Sequence, residues 1–233
     1  MGAVAKVSTT TLRILPIFEK LDNAGLESLM RAAVLRSVAK GEEVLHAGDG
    51  ADSIYFVLSG ALRVEVGDDE GREVILSALG PGEIFGEMGV LGDFKRSATV
   101  VAIESSSLLA IAKAEFKQCL KAHPDVALSI MRDLSARLRL ADRKIESLAL
   151  LDVYGRVARL LLEMAETVDG RKVVMRKISK QDIAKMVGAS RETVSRVMRD
   201  LQLQGLVLEQ EEQWVLIDPG CRISERAAPR RRA

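Results

Sequence analysis

At Pro124 the hydrophobic period of this chain changes, and that change limits what the chain can fold into. Before it, from about residue 40 to 112, apolar residues follow a period of two and are broken into short runs by glycine. Ile54, Phe56 and Leu58 alternate with Tyr55 and Val57, and Leu62, Val64 and Val66 alternate with Arg63 and Glu65. Val74–Leu76, Ala98–Ile103 and Leu108–Ile111 continue the series. Such runs predict an antiparallel sandwich or barrel of short strands. A helical segment is expected ahead of it, from Leu12 to about Leu35.

After Pro124, Ala127, Met131, Leu134, Leu138, Ala141, Ile145 and Leu148 are spaced alternately by four and three. A strict 3.5-residue average marks one long helix with a seam for a parallel partner, so this stretch predicts a homodimer contact through Met131, Leu134, Leu138, Ala141, Ile145 and Leu148. Arg132, Arg137, Arg139 and Arg143 lie off the seam. The alternative is a helix packed only on its own sheet. Leu150-Leu151-Asp152 then leads to a further helix, Val153 to about Glu166, which puts a boundary near Leu151. The expected organisation is a β-roll domain over 1–123, a dimerisation helix and hinge over 124–151, a winged helix-turn-helix over 152–220 and a basic tail over 221–233. The fold class is α+β.

Two cysteines, Cys119 and Cys221, and two histidines, His46 and His123, are too few for a disulfide framework, an iron–sulfur cluster or a multi-histidine metal centre. No metal is expected, and no catalytic constellation emerges, so the chain reads as a non-enzyme. No uncharged apolar stretch approaches the roughly 18 residues of a membrane helix, and the N-terminus lacks the layout of a secretory signal. The expected setting is cytoplasmic, with no membrane partner.

Charge is divided unevenly. Residues 171–233 carry 14 Lys and Arg against 8 Asp and Glu, whereas residues 1–170 carry 20 against 25. A basic end on an acidic body suits a nucleic-acid partner. Within that end, Ser179 can cap a helix with Asp182 as its capping-box partner, and the helix stops at Gly188. Ser190 caps a second helix, Arg191 to Gln204, ending at Gly205. Two short helices around a glycine turn have the layout of a helix-turn-helix. Val194, Val197, Met198 and Leu201 would face Ile183, Ala184 and Val187, leaving Arg191, Glu192, Ser195 and Arg196 outward in the first turns of the second helix. Arginine offers a fork to guanine and glutamate an acceptor to cytosine, so these are candidate base readers in a major groove. Ser179, Lys180 and Arg199 are candidate phosphate contacts, and the cap Ser190 is placed with the DNA-binding set. Leu206–Leu208 and Trp214–Ile217 read as a hairpin wing.

Gly188-Ala-Ser-Arg-Glu-Thr-Val-Ser-Arg196, Leu148–Asp152, Val153-Tyr-Gly-Arg156, Gly86-Glu87-Met88-Gly89 and Arg96-Ser97-Ala98 together resemble the family of the cyclic-AMP receptor protein and the fumarate–nitrate regulator, over nearly the whole chain. The resemblance implies a homodimeric transcription regulator that reads a palindromic TGTGA-like site on double-stranded DNA. Gly86, Glu87, Met88, Arg96 and Ser97 would then form a phosphate-binding cassette for a cyclic nucleotide. Its chemistry is sound unaided: backbone N–H groups and Arg96 suit a phosphate, and Glu87 can accept from a ribose hydroxyl. The alternative is a surface ion pair between Glu87 and Arg96.

RNA polymerase is a further partner the resemblance implies. The loop Glu166–Lys172, however, is shorter than the segment with which the cyclic-AMP receptor touches it. A second departure is at the two helix positions whose hydroxyls meet adenine in cyclic-AMP binders; here they are Ala141 and Asp142. Ionised Asp142 can only accept, which fits the donor edge of guanine, and Arg139 and Arg143 flank it. The expected effector is therefore cyclic di-GMP, then cyclic GMP, with cyclic AMP open; the alternative is that Asp142 only pairs with Arg139 or Lys144 on a solvated helix. Two alternatives come from other classes: a cupin-type metalloenzyme, for which His46 alone supplies too few ligands, and a nucleotide-sensing scaffold whose last helices bind protein.

Overall fold

Strand pairing in the first part of the chain follows the alternation read above. The computed structural model describes residues 8–175, 178–210 and 213–217. Strands β1 (Ala33–Val38), β8 (Ser106–Ala112), β3 (Ser53–Ser59) and β6 (Ile84–Phe85) form one four-stranded antiparallel sheet in that order. Strands β2 (Glu43–Leu45), β7 (Thr99–Ala102), β4 (Leu62–Gly67) and β5 (Glu73–Leu79) form a second. Val38, Val57, Phe85 and Leu108 of the first sheet pack with Leu45, Leu62, Leu79, Val100 and Ala102 of the second. The opposite face of the first sheet offers Ile54, Phe56, Leu109 and Ile111 to a helical layer.

That layer consists of α1 (Thr9–Arg13), a 3-10 turn (Pro16–Phe18), α2 (Asn23–Ala32), α4 (Lys113–Ala122) and the first half of α5 (Pro124–Leu150). The short α3 (Glu87–Gly92) adds Val90.

The expected single helix from Leu12 to Leu35 is in fact broken. Pro16 interrupts it, Asp22 caps α2 by accepting from the Gly25 N–H at 2.8 Å, and Ala33 to Leu35 leave the helix to pair with Leu109 to Ile111. Long-range pairing outweighs local helical preference there. The strict alternation along β4 also fails at one residue. Pairing with β5 slips between Val64 and Glu65, passing over Leu76 as a bulge, and Glu65 is buried beside Arg63 at 2.6 Å.

Gly25 packs α2 against His123 at the end of α4. A Cβ added there would sit 2.8 Å from His123 Nε2 and 2.9 Å from Leu21 Cδ1. Overpacking costs about 1–3 kcal/mol, against about 1 kcal/mol of helix propensity gained. Gly25→Ala is therefore expected to lower the melting temperature of the first unit, measured by calorimetry; an unchanged or higher value would contradict this packing.

The chain divides into two compact units, Met1–Leu140 and Ala141–Ala233, and α5 runs unbroken through the division. In the second unit α6 (Val153–Met164), α7 (Lys180–Val187) and α8 (Arg191–Leu203) enclose Val157, Leu161, Ile183, Val194 and Met198. A four-stranded antiparallel sheet runs β11 (Val207–Gln210), β12 (Gln213–Leu216), β10 (Arg171–Val174), β9 (Glu166–Val168). It closes this core with Trp214, which is 4% exposed.

The wing is thus larger than the two-stranded hairpin expected, and Glu166–Lys172 is itself a hairpin rather than a loop. Asp169 and Gly170 both have positive φ (48° and 75°), the two-residue turn whose twist matches paired strands. The proposed tail 221–233, with Cys221, lies outside the described residues. Among those described, no helix is long and apolar enough to cross a membrane, and no group of three or more His, Cys, Asp and Glu could hold a metal ion.

Candidate effector and nucleic-acid sites

The first candidate site forms where β6 turns into α3. Gly86 caps α3 with φ of 77°, and a Cβ there would lie 2.6 Å from Arg96 Nη1. Only glycine meets both demands. Arg96 is held at its backbone by the turn after β2: its N–H donates to Asp49 O at 2.9 Å, and its carbonyl accepts from the Gly48 N–H at 2.8 Å. Its side chain is 6% exposed. Nη1 donates to Gly86 O and Nη2 to Ser53 O, both at 2.7 Å, while the buried Nε has no partner.

A buried guanidinium satisfied only by neutral carbonyls is under-compensated. Burial pulls its pKa down, opposed by Tyr55, Asp52 and Glu87 nearby. An anion would relieve that state. An orphaned donor beside a glycine cradle is a fit for a phosphate group.

Glu87 is 2% exposed, so the surface-pair alternative does not describe it. Burial raises its carboxyl above the usual range, and Arg137 opposes the shift. The structure brings Gly86, Glu87 and Arg96 together. Ser97 follows Arg96 and is exposed, and Met88 is 58% exposed. Arg139, Asp142 and Arg143 lie on the exposed surface of α5.

Arg137, read from sequence only as a charge off the seam, is a residue this site adds. Its Nη1 lies 3.4 Å from Glu87 Oε1 and its Nη2 donates to Ile84 O at 2.5 Å. The signal was present: Val126, Ile130, Asp133 and Arg137 form a second stripe at four-three-four spacing, and the first two are buried against the roll. Of the expected seam, Met131, Leu138, Ile145 and Leu148 are 57–63% exposed, whereas Leu134 packs partly on the roll.

The second candidate site is α8 and the turn before it. Ser179 Oγ accepts from the Asp182 N–H at 3.0 Å and donates to Asp182 Oδ2 at 2.7 Å. Ser190 Oγ accepts from the Thr193 N–H at 3.1 Å and shares a second bond with Thr193 Oγ1. Both serines therefore serve first as helix caps. Gly188 ends α7 with φ of 63°. Arg156 on α6 donates from Nη1 to Val187 O at 2.7 Å, tying off that helix end.

A Cβ at Gly188 would lie 3.7 Å from Arg156 Nη1 and 3.8 Å from Leu148 Cδ2. The last turns of α5 thus flank the turn between α7 and α8, and Glu146 approaches Arg159 of α6 at 3.9 Å. With Val194, Val197, Met198 and Leu201 buried, Arg191, Glu192, Arg196 and Arg199 are exposed and Ser195 is half-buried. Ser190, Arg191, Glu192 and Ser195 line one open concavity. Ser179 and Lys180 are exposed at the start of α7.

A β-roll with a glycine turn against a buried arginine, joined by a long helix to a winged helix-turn-helix, is the architecture of a transcription regulator with a nucleotide-binding domain. Residues 35–123 match the cyclic nucleotide-binding domain family, and residues 155–220 match the Crp-like helix-turn-helix domain family. The chain is 37% identical over 171 residues to the cAMP-activated global transcriptional regulator CRP of Haemophilus influenzae, spanning 70% of this chain and 75% of that one. To the cAMP-activated regulator Vfr of Pseudomonas aeruginosa it is 33% identical, over 78% and 88%. The c-di-GMP responsive global regulator CLP of Xanthomonas campestris superposes with a TM-score of 0.73 at 28% identity, covering 84% of this chain and all of that one. The chain belongs to the CRP/FNR family of transcription regulators.

Proposed function

We propose that this protein is a homodimeric, nucleotide-gated regulator that binds a palindromic TGTGA-like site on double-stranded DNA in the cytoplasm. The observation that carries the effector half is the buried Arg96 guanidinium, with an orphaned Nε, beside Gly86. In this reading Arg96 and the N–H groups around Gly86 and Ser97 hold a phosphate, and Glu87 accepts from a ribose hydroxyl.

The exposed Met131, Leu138, Ile145 and Leu148 support pairing of two copies along α5. Pairing would place two α8 helices about one DNA turn, roughly 34 Å, apart. Arg191, Glu192, Ser195 and Arg196 then read base edges, and Lys180, Arg199 and the α7 and α8 caps Ser179 and Ser190 meet the backbone.

For the base of the effector, exposed Asp142 between Arg139 and Arg143 favours guanine, with cyclic di-GMP ahead of cyclic GMP; CLP offers a responsive relative. A second reading, cyclic AMP, is supported by the regulators named as cAMP-activated, to which the chain is 33–37% identical. A mobility shift on a palindromic probe, with each of the three nucleotides in turn, separates the readings. A guanine nucleotide is expected to change DNA affinity most. A response to cyclic AMP alone would overturn the guanine assignment, and no response to any nucleotide would overturn the gating.

A further inference from the structure

The second stripe of α5 begins apolar and ends charged. Val126 and Ile130 are 1% and 3% exposed in the core of the roll. Asp133 and Arg137 continue the stripe to the cradle, where the Arg137 guanidinium donates to Ile84 O and Glu87 Oε1 and ion-pairs with Asp133, whose buried Oδ2 accepts no hydrogen bond. Nη2 lies 2.5 Å from Ile84 O, Nε 2.8 Å from Asp133 Oδ2, and Nη1 3.4 Å from Glu87 Oε1. The longest of the three contacts is the one to the most deeply buried partner, a carboxylate with only 3% of its side chain exposed. Such a carboxylate would ordinarily draw a guanidinium close; the competing pull comes from Asp133.

We propose that Asp133 is a positioning residue for the effector site: its ion pair with Arg137 Nε keeps the Arg137–Glu87 hydrogen bond long, leaving Glu87 available to the ribose hydroxyl. This rests on the reading of Glu87 as the ribose acceptor. The charged groups acting on Glu87 are Arg137 and Asp133 from α5 and Arg96 from the segment before β7. Burial raises Glu87, Arg137 and Arg96 lower it, and Asp133 raises it further. A hydroxyl donated to Glu87 needs the carboxylate, so effector binding is lost as pH falls through the Glu87 titration.

The test is Asp133→Asn in the full chain. Losing the charge and releasing Arg137 both favour the carboxylate. The Glu87 titration, followed by carboxyl 13C NMR without effector, is expected to move down by about half a pH unit or more. At neutral pH, cyclic nucleotide is expected to bind severalfold more weakly, because Arg137 closes on its acceptor. Asp133→Glu restores both. An unmoved Glu87 titration overturns the proposal even if nucleotide binds. If the parent protein binds no cyclic nucleotide, the effector reading fails instead, and the two failures are distinct because the carboxyl titration needs no effector.

Discussion

Arg196→Ala is expected to weaken binding to a cognate palindromic duplex by about 1–3 kcal/mol per subunit, or about 5–150-fold. It should also relax sequence preference at one base pair of each half-site. Arg196 is exposed on α8, while Val197 and Met198 beside it are buried at 7% and 1%. The helix is therefore held by its apolar face, and removing the guanidinium leaves that packing intact. Fluorescence anisotropy on the parent site and on single-base variants checks this. The salt dependence separates a base reader from a phosphate contact: loss of a base contact leaves the slope of log affinity against log salt near the parent value, whereas loss of a phosphate contact lowers it by about one. Equal affinity of mutant and parent for every probe would remove Arg196 from the reading set.

Arg96→Ala is expected to lower effector affinity by about 2–5 kcal/mol, the cost of deleting one side of a buried, hydrogen-bonded charge pair, and so by at least about 30-fold. Calorimetric titration with the three cyclic nucleotides reads it. Because Arg96 also satisfies Gly86 O and Ser53 O, the alanine variant should melt at a lower temperature. Arg96→Lys keeps the charge but loses the fork, and is expected to fall between the two in affinity. DNA binding without nucleotide should be unchanged in both. Effector affinity equal to the parent in Arg96→Ala would remove the phosphate role.

The reading unit was legible because its signals are local. Ser179, Gly188 and Ser190 mark helix ends by side-chain and backbone chemistry that needs no distant partner, and the apolar spacing of α8 places Arg191, Glu192 and Arg196 outward without knowledge of the fold. The alternation in β3 was equally plain, since Ile54 and Phe56 meet one core and Val57 the other.

What escaped depended on neighbours far along the chain. Ala33 to Leu35 became a strand because β8 was there to pair with them. Glu65 turned inward because Leu76 is passed over in a different strand. Arg137 was hidden by the heptad itself: one strong period on α5 masked the shorter stripe beside it that starts at Val126 and Ile130. The Asp169-Gly170 turn is a different case. Its residues announce a hairpin, but the three-residue strand before it is too short to carry a period of its own.

Leu148 does two jobs at once. It stands more than half exposed in the series proposed to pair two copies, and it walls one side of the glycine turn ahead of α8. On the proposed pairing, a substitution at this rung is expected to alter both self-association and the turn ahead of α8. A junction at Leu151 would part Leu148 from Gly188 and is expected to disturb the turn ahead of α8. A chimaera that keeps its own operator preference has to inherit the closing stretch of the rod along with the head.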